Sequence, residues 1–391
     1  MSNFKDLNIT SPLTPFNEVL MAQKQNIIEL KSNVNIVSAL RDLPAVVGSA
    51  TVTAANSEYS LTTNALASDK ATLDSAERGR YQPGTSAEVG IGIRYPTTPA
   101  GAMQAKWGYF DDNNGFYFGR DATGIFIAIL RAGVESKIYQ SSWNTDKLDG
   151  TGNSRLTLDL ANGNIFQVRY SWYGYGTINF IVTMQDANSV QKNIVAHRFS
   201  ATAQTSVVDP NLPIRAVIEN GATATAQTLF VGGRQYSILG QYNPNVRNTG
   251  QYRLLQGSIT SAAFVPLISF RRKATYDSTS VKVRHLTIIT NQDLVIQVRS
   301  NGVLTGASYI TPSDYTAQET VVEADISATA ITGGEVIDDD IIEGGVGNKQ
   351  NARTYGTVGF DFVNQHPVTL CARAVSTTAT ITSHFSVIEE W

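Results

Sequence analysis

The clearest pattern in this chain is an alternation of hydrophobic and polar positions on both sides of a short turn, YGYG at residues 173–176. Neighbouring side chains of a strand point to opposite faces of a sheet, so this alternation predicts an antiparallel hairpin with one buried face. The hydrophobic positions are Phe166, Val168, Tyr170 and Trp172 before the turn, and Ile178, Phe180, Val182 and Met184 after it.

Short runs of the same kind continue along the chain from about residue 46. They are rich in β-branched and aromatic residues and are bounded by turn residues, which is typical of strands. The predicted strands are 51–61, 87–95, 115–119, 125–131, 194–199, 214–219, 227–231, 264–270, 280–289, 293–299, 320–326, 336–342, 356–362, 368–374 and 379–388.

Loop signals divide the 391 residues into two domains. A Gly-Gly pair at 232–233 and the sequence QYNP at 241–244 interrupt the strand pattern. We therefore predict an all-β fold of two consecutive antiparallel β-sandwich domains of the jelly-roll type, preceded by an N-terminal arm. The predicted boundaries are an arm at 1–45, a first sandwich at 46–235, a linker at 236–252 and a second sandwich at 253–391.

The arm has two alternative interpretations. A short helix starting near Pro15 and an extended chain both fit its sequence. The helix is indicated by the spacing of Phe16, Leu20, Ile27 and Leu30, and the extended chain by Ile28, Leu30 and VNIV at 34–37.

Composition narrows the classes of function. Charged residues make up 16% of the chain, against about 25% in an average soluble domain. A weakly charged surface favours contacts between proteins, because charge is depleted in buried interfaces. The net charge of −3 and the lack of a basic patch argue against nucleic-acid binding. No apolar run of about 18 residues and no signal peptide is visible, and Cys371, the single cysteine, lies in an apolar strand, which fits a reducing cytoplasm.

No group of residues carries the pattern of a catalytic or metal site. His197, His285, His366 and His384 are scattered through the sequence, so no metal site or cofactor is predicted. Glu323 and Asp325 are two residues apart on a predicted strand, which is a weak indication of a glycosidase carboxylate pair. We therefore predict a protein that is not an enzyme.

Aromatic and acidic residues are the remaining candidates for ligand contact. Trp107 belongs to one aromatic cluster, and Tyr173 and Tyr175 belong to the hairpin turn. Asp111 and Asp112 precede Gly115 in an oxygen-rich turn. Packing in the core explains most aromatic residues, whereas an exposed aromatic turn would also present faces on which sugar rings can stack.

Several stretches together resemble a family of virion structural proteins from tailed bacteriophages and other large double-stranded DNA viruses. They are GYFDDNNGFYFG at 108–119, QSSWNTDKLDGTG at 140–152, LDL at 158–160, IFQVRYSWYGYG at 165–176, HRF at 197–199 and PNLPIR at 210–215. The C-terminal half resembles the module that often follows, from PLISFRRK at 266–273 through LTGAS at 304–308 to EEW at 389–391.

The resemblance implies a concanavalin-like or jelly-roll sandwich followed by a C-terminal β module. It also implies a homotrimer that binds other virion proteins as a capsid decoration, fibre, tail or baseplate component, assembled in the host cytoplasm and located in the virion. A receptor- or glycan-binding module of the particle is the alternative, with a host-surface glycan as its partner. No nucleic acid, membrane or cofactor is expected to bind, and the resemblance transfers no catalytic residue.

Overall fold

Regular structure in this protein is almost entirely β. The computed structural model describes residues 24–34, 38–186, 188–345, 349–354 and 360–390. Within these ranges the only other regular segments are three short 3₁₀ turns, Ser32–Val34, Gln140–Ser142 and Ala274–Tyr276. The predicted all-β class is confirmed. No helix in the described ranges is long and apolar enough to cross a membrane.

The first sandwich packs an eight-stranded sheet on a seven-stranded sheet. Its strands are β1 (Lys24–Leu30), β2 (Asp42–Val47), β3 (Thr51–Ala55), β4 (Glu58–Thr63), β5 (Lys70–Arg78), β6 (Ser86–Arg94), β7 (Gln104–Phe110), β8 (Gly115–Asp121), β9 (Ile125–Arg131), β10 (Val134–Tyr139), β11 (Asn164–Tyr170), β12 (Ile178–Gln185), β13 (Gln191–Phe199), β14 (Pro213–Glu219) and β15 (Gln227–Leu239). The larger sheet has the order β13-β12-β11-β6-β15-β4-β3, with β1 also paired to β15, and the smaller sheet has the order β10-β9-β8-β7-β14-β5-β2.

The core between these sheets is built from the alternating hydrophobic positions. Trp107 and Phe118 of the seven-stranded sheet meet Phe166 of the eight-stranded sheet, with ring centroids 5.1 Å and 4.9 Å from that of Phe166. All three side chains are fully buried. Removing one such side chain from water contributes about 1.5–3 kcal/mol to folding.

The predicted hairpin around residues 173–176 is confirmed. β11 and β12 are antiparallel, with Val168 opposite Phe180 and Tyr170 opposite Ile178. These four side chains are buried, as the alternation requires. The connecting turn places Tyr173 at φ 41° and Gly174 at φ 83°, so two successive residues adopt the left-handed conformation that glycine tolerates best.

The two ends of the first sandwich differ from the predicted boundaries. β1 and the start of β2 lie within the predicted arm, and β1 pairs with the second half of β15. The extended alternative therefore describes residues 24–30, where no helix forms, while residues 1–23 lie outside the described ranges. β15 continues to Leu239, so the connection to the next strand spans 240–245 and not the predicted 236–252.

The second sandwich also consists of two antiparallel sheets, of four and five strands, with a separate two-stranded ribbon. Its strands are β16 (Val246–Ile259), β17 (Val265–Arg272), β18 (Ser280–Thr290), β19 (Leu294–Ser300), β20 (Val303–Thr305), β21 (Val322–Asp325), β22 (Ala330–Thr332), β23 (Glu335–Ile342), β24 (Lys349–Thr354), β25 (Val368–Ala374) and β26 (Ala379–Glu390). The sheet orders are β16-β26-β18-β24 and β21-β17-β25-β19-β23, and β20 pairs with β22.

Most strands predicted for the second sandwich are present, with two differences. β16, β20, β22 and β24 were not predicted, and residues 356–359 of the strand predicted at 356–362 lie outside the described ranges. Within the described remainder of that strand, Asp361 forms only an isolated bridge with Lys282.

The two sandwiches are joined by a buried ionic cluster formed by Arg80, Arg272 and Asp361. Arg80 comes from the first sandwich, and its guanidinium donates to one carboxylate oxygen of Asp361. The other carboxylate oxygen lies 3.3 Å from Nη2 of Arg272 and accepts the Val281 N–H at 2.7 Å. Each of the three charged residues is at most 5% exposed. The interface is therefore specific, because each buried charge requires its partners.

Apolar contacts support the same interface. Leu40 and Ala76 of the first sandwich form a buried cluster with Val363 of the second, and Leu43 and Ile337 pack against it. Nearby, the Ser38 hydroxyl donates to the Glu335 carboxylate at 2.7 Å. Together these contacts hold the two sandwiches as one unit.

Candidate ligand-binding cleft between the sandwiches

An exposed aromatic turn marks one end of the first sandwich. Tyr173 and Tyr175 of this turn are 62% and 58% exposed. The Tyr173 N–H donates to the Tyr81 hydroxyl at 3.0 Å, and the Gly174 carbonyl accepts the Ser206 N–H at 2.9 Å. The turn is thus fixed to the loops beside it while its two rings face solvent.

Tyr81 connects this turn to the neighbouring loop. Its ring lies 5.1 Å from that of Trp172 and 6.5 Å from that of Tyr173, in edge-to-face geometry in both cases. Its own N–H donates to the Asn211 side-chain oxygen at 2.8 Å. Tyr81, Tyr173 and Tyr175 are called the aromatic rim below.

A cleft of about 330 Å³ begins at Tyr81 and extends between the two sandwiches. Tyrosine and amide side chains predominate in its lining, and both sandwiches and their connection contribute. The lining residues are Arg80, Tyr81, Gln82, Pro83 and Asn211 from the first sandwich, Tyr242, Asn243, Pro244 and Asn245 from the connection, and Ser278 and Glu390 from the second sandwich.

Hydrogen bonds hold the two sides of the cleft together. Gln82 Nε2 donates to the Asn243 carbonyl at 3.2 Å, and the Tyr242 hydroxyl donates to the Glu390 carboxylate. The Gln82 side-chain oxygen is left without a hydrogen-bond partner among the described residues. The cleft therefore has polar groups in fixed positions.

The charged groups of the cleft lie at its inner end. Arg80 Nε is 3.9 Å from a Glu390 carboxylate oxygen. Burial raises the pKa of Glu390, and nearby Glu77 adds to this effect while Arg80 opposes it. A carboxyl group with a raised pKa can donate as well as accept a hydrogen bond in mildly acidic solution.

Trp107 does not belong to a ligand site, which corrects the prediction from the sequence. Its side chain is fully buried in the first sandwich, edge-on to Phe166. Alternation along β7 places Trp107 on the inner face, and the sequence alone did not distinguish that face from the outer one. A ligand cannot reach this ring without unfolding the core.

Asp111 and Asp112 stabilise a turn and an ion-pair network. One oxygen of Asp111 accepts the N–H groups of Asn113 and Asn114, both at 2.8 Å, and the other lies 3.0 Å from Nη1 of Arg78. The Asp112 side chain is 81% exposed and lies 2.6 Å from Arg215 Nη1. An aspartate side chain that accepts backbone N–H groups of the residues after it stabilises a turn.

Both aspartates border a second, smaller depression of about 250 Å³ on the outer face of the seven-stranded sheet. Lys106 Nζ lies there, 3.1 Å from Glu135 and 3.9 Å from Glu219. Burial alone would raise the pKa of Glu135, but Tyr117 and Lys106 hold it below its usual value. Glu135 therefore lacks the raised pKa of a glycosidase acid, which must carry a proton near neutral pH.

The carboxylate pair noted in the sequence is also engaged in structural contacts. Glu323 lies 2.5 Å from Arg271 Nε. Asp325 is buried, and it accepts the backbone N–H groups of Ser308 and Ala328 at 2.7 Å and 3.1 Å. These contacts give both carboxylates a structural role in the second sandwich.

Sequence reasoning identified the two turn tyrosines but missed the cleft. Gln82, Asn211 and Asn243 are far apart in sequence, and the structure brings them together only where the sandwiches meet. In the sequence, QYNP at 241–244 indicates only a break in the strand pattern, and PNLP at 210–213 is only part of a stretch that carries the family resemblance. The asparagines next to prolines in these two segments were the available sequence signal. This signal does not show which residues lie near them in the folded protein.

Comparison with known proteins finds only distant matches among solved structures. No family model and no curated protein matches the chain. Among solved structures, the metal-free carbohydrate recognition domain of Emp46p is 11% identical, covers 53% of this chain and 94% of its own, and has a TM-score of 0.34.

Two further solved structures are similar to the same extent. An endo-β-1,4-glucuronan lyase from the fungus Trichoderma reesei is 9% identical, covers 54% of this chain and 95% of its own, and has a TM-score of 0.36. Arcelin-5, a lectin-like defence protein from Phaseolus vulgaris, is 11% identical, covers 57% of this chain and all of its own, and has a TM-score of 0.34.

Proposed function

We propose that this protein is a non-enzymatic carbohydrate-binding protein that takes an oligosaccharide into the cleft between its sandwiches. The observation that carries the proposal is the exposed Tyr173 ring, which lies 6.5 Å from the ring of Tyr81 at the edge of a cleft lined with amide side chains. Aromatic faces pack against the C–H faces of sugar rings, and amides bind their hydroxyl groups.

The size and place of the cleft fit this ligand. Small-molecule sites generally occupy about 300–1,000 Å³ and are common where domains meet. The cleft, with about 330 Å³, has room for a short saccharide that continues outward over the aromatic rim. Tyrosine and asparagine combine rigid contact area with adaptable hydrogen bonding, a combination that also serves antibody binding sites.

Fixed contacts prepare the cleft for binding. Tyr81 is held by Asn211 and in turn holds the Tyr173 backbone, while the hydrogen bond from Gln82 to Asn243 fixes the opposite side. A preformed site loses less conformational entropy when the ligand binds. A sugar therefore meets rings and amides that are already in place.

Replacing both turn tyrosines with alanine should weaken glycan binding tenfold or more without unfolding the protein. We expect the wild type to bind a subset of glycans on an array, and the Tyr173→Ala/Tyr175→Ala variant to lose roughly 1 kcal/mol or more for each ring, tenfold or more in affinity overall. Both side chains are exposed, so the free energy of unfolding should change by less than about 0.5 kcal/mol.

Tyr252→Ala is the matched control, since Tyr252 is 40% exposed and does not line the cleft. It should bind the same glycans as the wild type. Equal glycan binding by the double variant and the wild type would contradict the proposed site. Release of shortened saccharides from a bound glycan would contradict the non-enzymatic part of the proposal.

A self-associating structural subunit, as the sequence resemblance implies for a virion, is the second candidate. One observation favours it. β16 is an edge strand of the second sandwich and exposes Val246, Tyr252 and Leu254, which are 54%, 40% and 66% exposed. An edge strand with exposed apolar side chains offers both backbone groups and hydrophobic area to another chain.

Leu254→Lys tests this second candidate. If copies of the chain associate through β16, the charge should lower the molar mass measured by light scattering from that of an oligomer to that of a monomer. The wild type should show a trimer or another closed oligomer under the same conditions. A wild type that is monomeric at all concentrations, or a Leu254→Lys variant with unchanged mass, would contradict association through this edge.

A further inference from the structure

A second cavity, of about 430 Å³, lies at an edge of the first sandwich and apart from the cleft. It is bounded by the end of β9, the start of β10 and residues 199–206, which follow from the last residue of β13. Among the described residues that line it, Arg131 is the only one with a charge, and the others are apolar or carry hydroxyl or amide groups. This side cavity, as it is called below, therefore has a positive charge and no acidic side chain in its lining.

Arg131 stands at a position that alternation assigns to the inner face of its sheet. Ile127 and Ile129 of β9 are buried in the core between the two sheets, and Arg131 follows them on the same face. On β10, Val134 is paired with Arg131 and Ser136 with Ile129, and both residues of β10 line the side cavity. The strand pattern therefore places the charge of Arg131 on the side of the sheet where this cavity lies.

One part of the Arg131 guanidinium is fixed and another part is available. Its Nε donates to the Thr205 carbonyl at 2.8 Å, and Thr205 lines the same cavity. Among the described residues, no carboxylate forms an ion pair with Arg131, and its side chain makes no other hydrogen bond. A guanidinium has five N–H donors, and its two terminal nitrogens can bind two oxygens of one anionic group. The contact with Thr205 thus positions the side chain and leaves its terminal donors for an anion.

The side cavity adjoins the aromatic turn on the side opposite the cleft. The Tyr173 N–H donates to the Tyr81 hydroxyl, and Tyr81 lines the cleft. The Gly174 carbonyl accepts the Ser206 N–H at 2.9 Å, and a Cβ at Gly174 would come within 2.7 Å of Thr205 Cγ2. Ser206 and Thr205 both line the side cavity. The turn therefore lies between the two cavities, and a ligand that passes over its exposed rings can reach both.

We propose that the side cavity binds an acidic group, a carboxylate or a sulfate, of a saccharide that lies over the aromatic rim, with Arg131 as the counter-charge. This inference rests on the proposed glycan binding and names the class of glycan as acidic oligosaccharides. The hydroxyl groups of Ser136 and Thr202, which line the same cavity, can donate to further oxygens. The net charge of the chain is −3, so the protein as a whole does not attract anions. A preference for acidic glycans therefore depends on a local positive charge, and Arg131 supplies it.

An array of paired oligosaccharides tests this proposal with the full-length protein. Oligosaccharides with uronic acids are paired with their carboxyl-reduced counterparts, and sulfated oligosaccharides with their desulfated counterparts. We expect the wild type to bind the acidic member of a pair roughly tenfold more tightly or better, because charge-assisted hydrogen bonds are stronger than neutral ones. The kind of pair with the larger difference shows whether the group in the cavity is a carboxylate or a sulfate.

Arg131→Gln should remove the preference for the acidic member. Its affinity for that member should fall roughly tenfold, to the level of the neutral counterpart, and its affinity for the neutral member should change by less than about twofold. Arg131→Lys keeps the charge without the planar pair of donors, so its preference should lie between those of the wild type and Arg131→Gln. Calorimetry with the best pair measures the affinities, and circular dichroism shows whether each variant keeps the fold.

Arg155→Gln is the matched control, since it removes the same charge from an exposed arginine of the first sandwich that lines neither cavity. It should bind both members of a pair as the wild type does. Equal binding of the two members by the wild type, or an unchanged preference in folded Arg131→Gln, would overturn this inference and leave the cleft proposal standing. A folded wild type that binds no glycan would overturn both.

Discussion

Asp361→Ala should destabilise the protein by about 3–5 kcal/mol, because it leaves the buried Arg272 without the carboxylate that it binds and leaves Arg80 with Glu390, 3.9 Å away, as its remaining ion-pair partner. The carboxylate lies between the two guanidinium groups and also accepts the Val281 N–H at 2.7 Å. Although burial raises the pKa of Asp361, the charges of Arg80 and Arg272 hold it below its usual value. The carboxylate is therefore ionised at neutral pH and neutralises the interface. Urea denaturation followed by tryptophan fluorescence measures the change.

Two further variants show whether the loss arises from the buried charge. Asp314→Ala removes an exposed carboxylate, so its effect should stay within about 0.5 kcal/mol. Arg80→Met should cost less than Asp361→Ala, since Asp361 keeps Arg272 as its partner. An Asp361→Ala variant as stable as Asp314→Ala would show that the sandwiches do not depend on this cluster.

The ionic cluster also bears on the cleft. Arg80 belongs to both, and the cleft needs residues of both sandwiches. Asp361 itself does not line the cleft. A folded Asp361→Ala protein should therefore bind glycan more weakly, because the two sides of the cleft are no longer held together.

Asp42→Ala should destabilise the first sandwich by a similar amount, about 3–5 kcal/mol. Arg234 Nη2 lies 2.6 Å from Asp42, and both side chains are 0% exposed. The Tyr59 hydroxyl donates to the other oxygen of Asp42 at 2.8 Å. Alanine at position 42 would leave a buried guanidinium without its closest carboxylate and a buried hydroxyl without its acceptor. Thermal unfolding monitored by circular dichroism measures the loss.

A double variant distinguishes an unpaired charge from a simple loss of packing. Replacing both partners, as Asp42→Asn/Arg234→Met, removes both charges and should recover a large part of the stability lost in Asp42→Ala. The Arg234 atoms Nε and Nη1 have no hydrogen-bond partner among the described residues, so methionine loses little there. If the double variant were less stable than Asp42→Ala, the charge-based explanation would not hold.

Strand-level features were predictable because they are local. Alternation with a period of two identified β11 and β12 and predicted which of their faces is buried. The run at 368–374 coincides with β25 because it is a short apolar run, although five consecutive residues in it are buried and its burial does not alternate. In β11 and β12, the place of a residue in the alternation indicates whether its side chain is buried. No information about distant residues is needed for this prediction.

Features that depend on distant partners were not predictable. β1 has three exposed residues at its start and pairs with β15, more than two hundred positions later in the sequence. Asp42 and Arg234 are likewise distant, and neither carries a sequence signal for burial. Trp107 was assigned to a possible surface because a strand's inner face is known only after its sheet partners are known.

The same limit applies to the candidate sites. Tyr173 and Tyr175 could be identified because a turn between amphipathic strands is exposed. The amides of the cleft come together only through the packing of the two sandwiches. Functional groups that come from separate strands can therefore be identified only from the structure.

A crystal structure of the protein with the oligosaccharide that binds best on the array is the most direct test of the proposed function. We expect density for sugar rings in the cleft, with one ring stacked on Tyr173 or Tyr175 and its hydroxyl groups bonded to Gln82, Asn211 or Asn243. Density for the sugar at another surface, with the cleft and the aromatic rim unoccupied, would contradict the account.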